Sequence, residues 1–318
     1  MDQPTFYQGE MSAGYSHQPV LVEGVVENLC VKLGGVYIDC TVGEGGHASA
    51  ILSSSMPGGQ LLGIDLDPQA LKRAEQRLRR YDGAYKLAHG SYADLAQLAG
   101  DLGFPDPDGI FFDLGLSSLQ LEAEGRGFSF RRNEPLDMRF NPEASITAAE
   151  IINGYSFDKL VEIISSFGEQ PRARSIARSI VDSRPIQTTK ELADLVLRVM
   201  GGRRGKTHPA TRTFQALRIA VNGELENLET GLQQAIALLK PGGRIVVLSY
   251  HSLEDRIVKQ TLAREAKSCL CPPEIPVCVC GHTASVRVIT RKVVKPSEAE
   301  VRGNPRSRSA RMRAAQRL

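Results

Sequence analysis

The first third of the chain alternates short apolar segments with segments of helical pattern, and this alternation most constrains the fold. The apolar segments occur at 35–40, 59–67, 84–89 and 108–115. The last of them, DGIFFDLG, is the continuous apolar run expected of a strand buried on both faces. A helix-like segment follows the second strand and begins at Pro68, where a missing N–H costs nothing. Strands and helices in this order predict a Rossmann-like α/β fold with a parallel, doubly wound sheet.

The alternation stops after the fourth strand. Residues 122–215 are largely helical in pattern and rich in arginine, and the sheet pattern returns at LLKPGGRIVVLSYHS (238–252). We therefore predict a helical domain, 122–215, inserted into a core formed by residues 17–121 and 216–318. Residues 1–16 are predicted to form a flexible leader.

The C-terminal part of the chain contains two further strand signals. SVRVIT (285–290) has the composition of a strand. Small or apolar residues at 310, 312 and 314 alternate with Arg311 and Arg313, which predicts a last strand with one arginine face, although a short helix also fits.

Composition and charge distribution narrow the class of protein. No apolar run approaches the ~20 residues needed to span a bilayer, and the N-terminus lacks the pattern of a secretory signal. We therefore predict a cytoplasmic protein without a membrane partner, in which six cysteines do not form a disulfide framework. The net charge is only +3, but arginines concentrate in 126–139, 172–184, 198–218 and 302–317. Basic segments of this kind suit a phosphate-rich partner.

A glycine-rich loop, IDCTVGEGGHA (38–48), follows the first strand. Its G-x-G-x-x-A pattern at 43–48 fits a dinucleotide loop, and Asp65 lies at the end of the second strand, where an acid accepts hydrogen bonds from ribose. The pattern alone is compatible with NAD, with S-adenosylmethionine or with a tight turn that binds nothing. Asp113 at the end of the fourth strand and the Pro-Gly-Gly turn at 241–243 are typical of class I methyltransferases and favour S-adenosylmethionine.

Nine segments are specific enough to compare with known families. They are HQPVL (17–21), IDCTVGEGGHA (38–48), GIDLDP (63–68), DLGLSSLQL (113–121), RGFSF (126–130), PLDMR (135–139), HPATRTFQALRI (208–219), SYHSLEDRIVK (249–259) and NPRSRSA (304–310). In these segments, from about His17 to the end, the chain resembles the MraW family, the small-subunit ribosomal RNA methyltransferases H. The resemblance implies a class I methyltransferase core with a helical insertion. It also implies a cytosolic enzyme that methylates N4 of a cytidine in the decoding (P-site) region of 16S rRNA in the 30S subunit.

The same resemblance implies a set of cofactor-binding residues. They are Gly45, Gly46, His47, Asp65, Tyr92, Asp113 and Gln120. Glycines at 45 and 46 would let the backbone approach the methionine end of the cofactor, and Tyr92 could stack on adenine. Ordinary packing for Tyr92 and a plain helix N-terminal position for His47 remain open. Asp67 is predicted to cap the helix that begins at Pro68 rather than to contact the ribose.

The predicted chemistry needs hydrogen-bond acceptors near the cytosine amino group. N4 is a poor nucleophile because its lone pair is conjugated with the ring, and acceptors near its N–H groups would take up the charge that develops. Asp113 is predicted to serve as the catalytic acceptor, although the proline-proline-aromatic run of amino-methylating DNA enzymes is absent after it. A C5 mechanism would require a thiol in DLGLSS, which has none. His251 follows the fifth strand and could position the base or accept a proton, or be purely structural. Glu254 and Asp255, followed by Arg256, are interpreted as a helix first turn with an ion pair.

Basic residues of the helical segment are candidates for RNA binding. Arg174 and Arg178 lie four residues apart on one helix face. For a single arginine the solvated interpretation is preferred, whereas the set predicts an rRNA-facing surface. The set comprises Arg174, Arg178, Arg203, Arg204, Lys206 and Arg212. A non-catalytic RNA-binding assembly factor remains the alternative, but the intact Asp65 and Asp113 argue against it.

Four cysteines lie close together in CLCPPEIPVCVCG, as Cys269-x-Cys271 and Cys278-x-Cys280. Four thiols could hold zinc tetrahedrally, although the spacing is not that of a common zinc ribbon and some members of the family lack these cysteines. We assign no metal ligand from the sequence, and a structural zinc stays an open alternative.

Overall fold

The computed structural model describes residues 19–202, 207–272, 274 and 277–318. In this part of the chain a single seven-stranded sheet has the order β3-β2-β1-β4-β5-β7-β6. Its strands are β1 (Val36–Asp39), β2 (Gln60–Asp65), β3 (Tyr85–His89), β4 (Gly109–Asp113), β5 (Arg244–Ser249), β6 (Val286–Val288) and β7 (Arg311–Arg317). Strands β1 to β5 are parallel, and β7 runs antiparallel between β5 and β6. The predicted Rossmann-like α/β fold is therefore confirmed.

The described residues also form thirteen α-helices. They are α1 (Val22–Leu29), α2 (Gly46–Ser55), α3 (Pro68–Leu78), α4 (Leu95–Leu102), α5 (Ser118–Glu122), α6 (Ala148–Gly154), α7 (Phe157–Ser166), α8 (Ala173–Asp182), α9 (Thr189–Val199), α10 (Thr211–Asn222), α11 (Glu224–Leu238), α12 (Ser252–Glu265) and α13 (Glu298–Gly303). Within the described ranges, no helix is both long and apolar enough to cross a membrane.

The central strands are buried on both faces, as their continuous apolar composition predicts. Along β4, Ile110 and Phe112 pack into one apolar cluster with residues of α4, α11 and α12. Phe111 points to the other face and packs with residues of α1, α2 and α3. Successive side chains of a strand alternate between faces, so an apolar residue at every position fills both layers.

Strand β7 confirms the predicted last strand and its arginine face. Met312 and Ala314 are buried, and Arg311 and Arg313, which alternate with them, pair with Asp255 of α12. Arg313 Nε donates to Asp255 Oδ1 at 2.7 Å, and Arg311 Nη1 donates to Asp255 Oδ2 at 3.0 Å. Asp255 does lie in the first turn of α12 as predicted, but its ion-pair partners come from β7 because the strand lies against that turn.

The helices between β4 and β5 enclose an apolar cluster of their own. Ile152, Leu160, Ile176 and Leu192 are fully buried within it, on α6, α7, α8 and α9. Helix α10 contributes to this cluster beyond residue 215, because Ala216 and Leu217 are buried in it and Ala220 and Val221 pack against it. We propose this cluster as the inserted domain and place its far boundary at the end of α10 rather than at residue 215. The leader predicted at 1–16 lies outside the described residues.

A polar contact joins this helical cluster to the start of α12. Glu169, which follows α7, accepts hydrogen bonds from Ser252 Oγ at 2.6 Å and from Arg256 Nη2 at 2.9 Å. Both donors lower the pKa of the Glu169 carboxyl, with the Ser252 bond the larger effect. Arg256 thus bonds to the helical cluster, not to its sequence neighbours Glu254 and Asp255.

Candidate active site

A cavity of about 410 Å³ opens at the carboxyl ends of the parallel strands. Ligands of open α/β sheets bind at this edge, where the strand order reverses. Of the predicted site residues, the ones that line the cavity are Gly46, His47, Asp65, Tyr92, Asp113, Gln120 and His251. Gly45 is not among the lining residues. The structure therefore gathers seven of the eight predicted cofactor and catalytic residues around one space.

Three glycines of the loop after β1 are explained by different structural constraints. Gly43 has φ +52° and its N–H donates to Asp65 Oδ2 at 2.8 Å, which joins the loop to the end of β2. Gly45 has φ +77°, and a Cβ there would lie 3.2 Å from the Ala74 Cα of α3. Gly46 begins α2, and a Cβ there would lie 2.8 Å from Pro19 Cγ. Protein packing alone therefore accounts for glycine at 45 and 46, beside any need of a ligand.

Asp65 is held by backbone donors at the edge of the cavity. Its Oδ1 accepts the N–H of Asp67 at 2.9 Å, opposite the bond from Gly43 to Oδ2. Burial raises the pKa of Asp65 to about 6, although the two backbone N–H groups act in the opposite direction. The carboxylate is thus ionised at neutral pH and retains lone pairs for ligand hydroxyl groups.

Asp67 connects the cofactor edge to the segment that leads into the helical cluster. Its side chain accepts the N–H of Gln69 at 3.0 Å, which confirms the predicted cap. Its other oxygen accepts bonds from Arg126 Nη1 at 3.1 Å and from Gln120 Nε2 at 3.4 Å. Asp67 is fully buried, so these partners compensate a charge that water does not reach.

Tyr92 also lines the cavity. Its ring meets Phe112 edge to face, with 5.5 Å between centroids, and a Cβ at Gly231 would come within 2.7 Å of the same ring. Burial raises the pKa of Tyr92 far above its usual value, so the phenol stays neutral. The structure thus shows Tyr92 packed on α11 and lining the cavity, and stacking on adenine remains a prediction.

Asp113 ends β4 between two aromatic side chains. Tyr250 donates its hydroxyl to Asp113 Oδ1 at 2.8 Å, and His47 Nδ1 lies 3.4 Å from Asp113 Oδ2. Burial and the Asp113 charge raise the pKa of Tyr250 well above its usual range, so Tyr250 remains a hydrogen-bond donor. His47 is fixed by Val20, whose carbonyl oxygen lies 2.8 Å from Nε2, and by a tilted ring contact with Phe111, with 4.7 Å between centroids.

His251 caps α12 while it lines the cavity. Its Nδ1 accepts the N–H of Glu254 at 3.4 Å, and its Nε2 lies 3.0 Å from Glu254 Oε1. Burial alone would raise the pKa of Glu254, but His251 and the nearby guanidinium of Arg218 outweigh burial and lower it. Nδ1 of His251 thus caps α12, which is a structural role, whereas Nε2 makes no hydrogen bond with a described residue although Glu254 Oε1 lies 3.0 Å away. The alternatives that the sequence left open for His251 stay open.

Glu224, His251 and Glu254 come close enough to suggest a metal site. Their ligand atoms lie within 4.8 Å of one another. Arg218, however, is buried against them and donates two bonds of 2.7 Å to the carboxylate oxygens of Glu224. A bidentate guanidinium already supplies the positive charge that these acids need, so we interpret the group as an ion-pair cluster.

The predicted basic surface is partly described. Arg174 and Arg178 are exposed on α8, and their guanidinium groups lie 5.4 and 4.5 Å from the centre of the Phe157 ring. Arg212 lies on α10 and donates to the carbonyl oxygen of Glu169 at 3.0 Å. Arg203, Arg204 and Lys206 lie outside the described residues. These three arginines all belong to the helical segment, but Arg174 and Arg178 lie on α8 and Arg212 lies on α10.

Sequence reasoning missed several residues of this region. Arg126 lies in the matched segment RGFSF, but the sequence assigned it no role. Its ion pair with Asp67 joins segments that are 59 positions apart. Tyr250 and Arg218 were likewise present in matched motifs without a role. Asp39, the last residue of β1, is 1% exposed, and among the described residues its carboxylate accepts a hydrogen bond only from the Thr41 N–H, at 3.1 Å. Burial, reinforced by nearby carboxylates, raises the pKa of Asp39 to about 8. No local sequence signal reveals these long-range contacts.

The cavity suits the cofactor predicted from the sequence. S-adenosylmethionine presents a cationic sulfur, ribose hydroxyls and a flat base, and the lining includes the acids Glu44, Asp65 and Asp113 beside the ring of Tyr92. The carboxylate oxygens of Glu44 are buried without a hydrogen-bond partner among the described residues, and Arg73 Nη1 lies 3.6 Å from Glu44 Oε2. An excess of acceptors favours a ligand that brings donors and positive charge.

A family profile and the curated relatives agree on one family. A profile of the MraW methylase family matches residues 14–318. A ribosomal RNA small subunit methyltransferase H from Dehalococcoides mccartyi is 54% identical over 304 residues, which cover 96% of this chain and 87% of the relative. The protein of the same name from Thermomicrobium roseum is 55% identical over 306 residues, or 95% and 94% of the two chains. Among solved structures, an rRNA methylase from Streptococcus thermophilus has 10% identity and a TM-score of 0.41, with 93% of each chain covered.

Proposed function

The chain belongs to the MraW methylase family, with its class I, S-adenosylmethionine-dependent methyltransferase fold, and we propose that it methylates N4 of a cytidine in the decoding region of 16S rRNA. The relatives that are 54% and 55% identical bear the name ribosomal RNA small subunit methyltransferase H, which supports a small-subunit rRNA as substrate. Asp113 in the lining of the cavity, held by Tyr250, is the observation that carries the choice of an amino nitrogen. The proposed partner is the 30S subunit or its precursor, and the proposed location is the cytoplasm.

Residues at the carboxyl edge of the sheet would hold the cofactor. Asp65 would accept the ribose hydroxyls, Tyr92 would cover the base, and the backbone near Gly46 and His47 would face the methionine end. Gln120 would contribute through its position beside Asp67. When bound, S-adenosylmethionine supplies a methyl group that its positive sulfur already activates.

Asp113 would act on the nucleophile. Its carboxylate would accept a hydrogen bond from the N4 amino group, which draws the nitrogen lone pair out of conjugation and leaves an acceptor for the proton that N4 loses on methylation. The Tyr250 hydroxyl, 2.8 Å from Asp113 Oδ1, keeps the carboxylate oriented. His251, which caps α12 and contacts Glu254 with both nitrogens, would act as a positioning residue.

The cysteine chemistry of the cavity argues for nitrogen over carbon as the methyl acceptor. Cytosine C5 methylation requires a thiolate that adds to the ring. Cys40 lines the cavity, but it is 1% exposed and burial raises the pKa of its thiol well above the usual range. A thiol of this kind is a poor nucleophile.

The helical cluster would bind the RNA backbone. Arg174 and Arg178 are exposed and their guanidinium groups are held over Phe157, so they can meet phosphates or stack on an unpaired base. A target base must leave its stack to meet the methyl group, and a second binding unit beside the cavity would hold the flanking RNA.

A transfer assay tests the reaction. Isotope-labelled S-adenosylmethionine is offered to 30S subunits and to naked 16S rRNA, and the product is mapped by mass spectrometry. We expect label on one cytidine N4. Asp113→Asn should lower kcat/KM by about 10²-fold or more, whereas Asp101→Asn, at an exposed position on α4, should not. Absence of transfer to either substrate would refute the function, and label on C5 or on a ribose oxygen would refute the N4 assignment.

A salt titration tests the RNA surface. The double variant Arg174→Ala/Arg178→Ala should weaken binding to the RNA substrate, and the slope of log K against log salt should become shallower by about 1 for each phosphate that the variant no longer neutralises. Arg79→Ala, an exposed arginine after α3, is the matched control. An unchanged slope in the double variant would exclude α8 from the interface.

A further inference from the structure

Four cysteines form a compact group between α12 and β6, and none of them lines the cavity. The ligand atoms of Cys269, Cys271, Cys278 and Cys280 all lie within 4.8 Å of one another. The Sγ atoms of Cys269 and Cys278 are 3.3 Å apart, those of Cys278 and Cys280 are 3.5 Å apart, and those of Cys269 and Cys280 are 3.8 Å apart. We propose that these four thiolates hold a structural Zn²⁺ ion.

The sulfur separations match tetrahedral zinc coordination. A Zn–S bond of about 2.3 Å in a regular tetrahedron places the sulfurs about 3.8 Å apart. A disulfide would require about 2.05 Å. The separations thus correspond to sulfurs that share one ion, and soft thiolate donors in a tetrahedral set select zinc among the common divalent ions.

Backbone amides around the group are placed as they are around metal-bound thiolates. The N–H of Leu270 donates to Cys280 Sγ at 3.3 Å, that of Cys271 donates to Cys269 Sγ at 3.4 Å, and that of Val279 donates to Cys271 Sγ at 3.4 Å. Thiolates accept such bonds far better than thiols do, and the bonds orient the ligands and spread their negative charge.

The segment that carries the four cysteines needs a cross-link because apolar packing does not hold it in place. Between Leu262 and Val286 none of the described side chains is buried, so the segment has no apolar core of its own. Val277 and Val279 remain 71% and 76% exposed on either side of Cys278. A chain segment that buries so little is ordered by a metal or by disulfides rather than by packing.

Metal analysis of the full-length protein tests the site. The protein is produced in zinc-supplemented medium and purified without a metal-affinity resin, and its metals are measured by mass spectrometry. We expect about one zinc per chain in the wild type and in the control variant Cys30→Ser, whose cysteine is exposed outside the group, and less than about a tenth of that in Cys278→Ser. Replacement by Co²⁺ should give the absorption of a tetrahedral thiolate complex.

A second measurement separates loss of the metal from loss of the fold. Chelation of zinc from the wild type should open the segment 267–285 to proteolysis and leave circular dichroism unchanged, and added zinc should restore protection. A chain without metal, iron in place of zinc, or a mass four hydrogens lower that reports two disulfides would each overturn the proposal.

Discussion

The burial of Asp39 predicts both the direction and the size of a change in folding stability with pH. The carboxyl ends β1 with 1% exposure, and one of its oxygens has no hydrogen-bond partner among the described residues. Burial, followed by the charges of Asp113 and Asp65, raises its pKa from 3.8 to about 8. The perturbation is Asp39→Asn, which keeps the shape of the side chain and removes its titration.

The expected effect depends on pH in a defined direction. Well below pH 3.8 the carboxyl is protonated in the folded and the unfolded chain, so the folded state carries no charge penalty from Asp39. As the pH rises, the unfolded chain ionises first, and stability is lost until the folded group ionises near pH 8. Each pKa unit corresponds to about 1.36 kcal/mol, so the wild type should lose about 4 kcal/mol between pH 5 and pH 8 through this group. The asparagine variant should not share that loss.

Urea unfolding at pH 5, 6.5 and 8 measures the difference. The stability of Asp39→Asn relative to the wild type should rise by about 3–4 kcal/mol from pH 5 to pH 8. Asp101→Asn, an exposed replacement on α4, should show no such trend. A difference for Asp39→Asn that is constant within about 1 kcal/mol over this range would mean that the buried carboxyl is ionised throughout, and the reasoning would be wrong.

Two further predictions concern ion pairs between distant segments. Burial alone would raise the pKa of Asp255, but bonds from Arg313 and Arg311 outweigh burial and lower it, so its stabilising effect is present above about pH 4 and disappears as the pH falls through the folded pKa. Asp255→Asn should therefore cost about 1.5–3 kcal/mol at pH 7 and much less at pH 3 in thermal unfolding, and an equal cost at both pH values would contradict the ion-pair account. Arg126→Ala leaves the fully buried Asp67 without its cation and should cost about 3–5 kcal/mol in chemical denaturation, and a loss below about 1 kcal/mol would show that the remaining bonds suffice.

Local chemistry explains what could be predicted from the sequence. The strands were visible because two buried faces require apolar residues at every position, and the cap at Asp67 was visible because Asp-Pro is a helix-start signal in itself. The arginine face of β7 followed from a period of two. Its partner Asp255 did not, because no pattern along the chain states which helix lies against a strand.

In the candidate site, too, features set by the local sequence pattern could be predicted, and contacts between distant segments could not. Position at a strand end predicted that Asp65 and Asp113 would share one cavity. The role of Gly45 at the ligand stays a prediction: its Cβ position faces Ala74, and a glycine pattern does not distinguish approach to a ligand from approach to a neighbouring helix. The ion pair of Asp67 with Arg126 and that of Arg218 with its buried glutamate depend on how the chain folds back on itself.

The sheet order has a consequence for the sequence of folding events. Strands β4 and β5 are neighbours in the sheet, with Gly109 paired to Arg244, yet all the helices of the apolar cluster α6–α10 lie between them in the chain. A disordered connection makes such a pairing slow, because its loop-closure entropy must be lost before any contact compensates it. Contacts within the helical cluster are more local, so we expect it to collapse first and bring the ends of β4 and β5 together. The central sheet would then close last, and the cavity at its edge would form only in chains whose helical part has already folded.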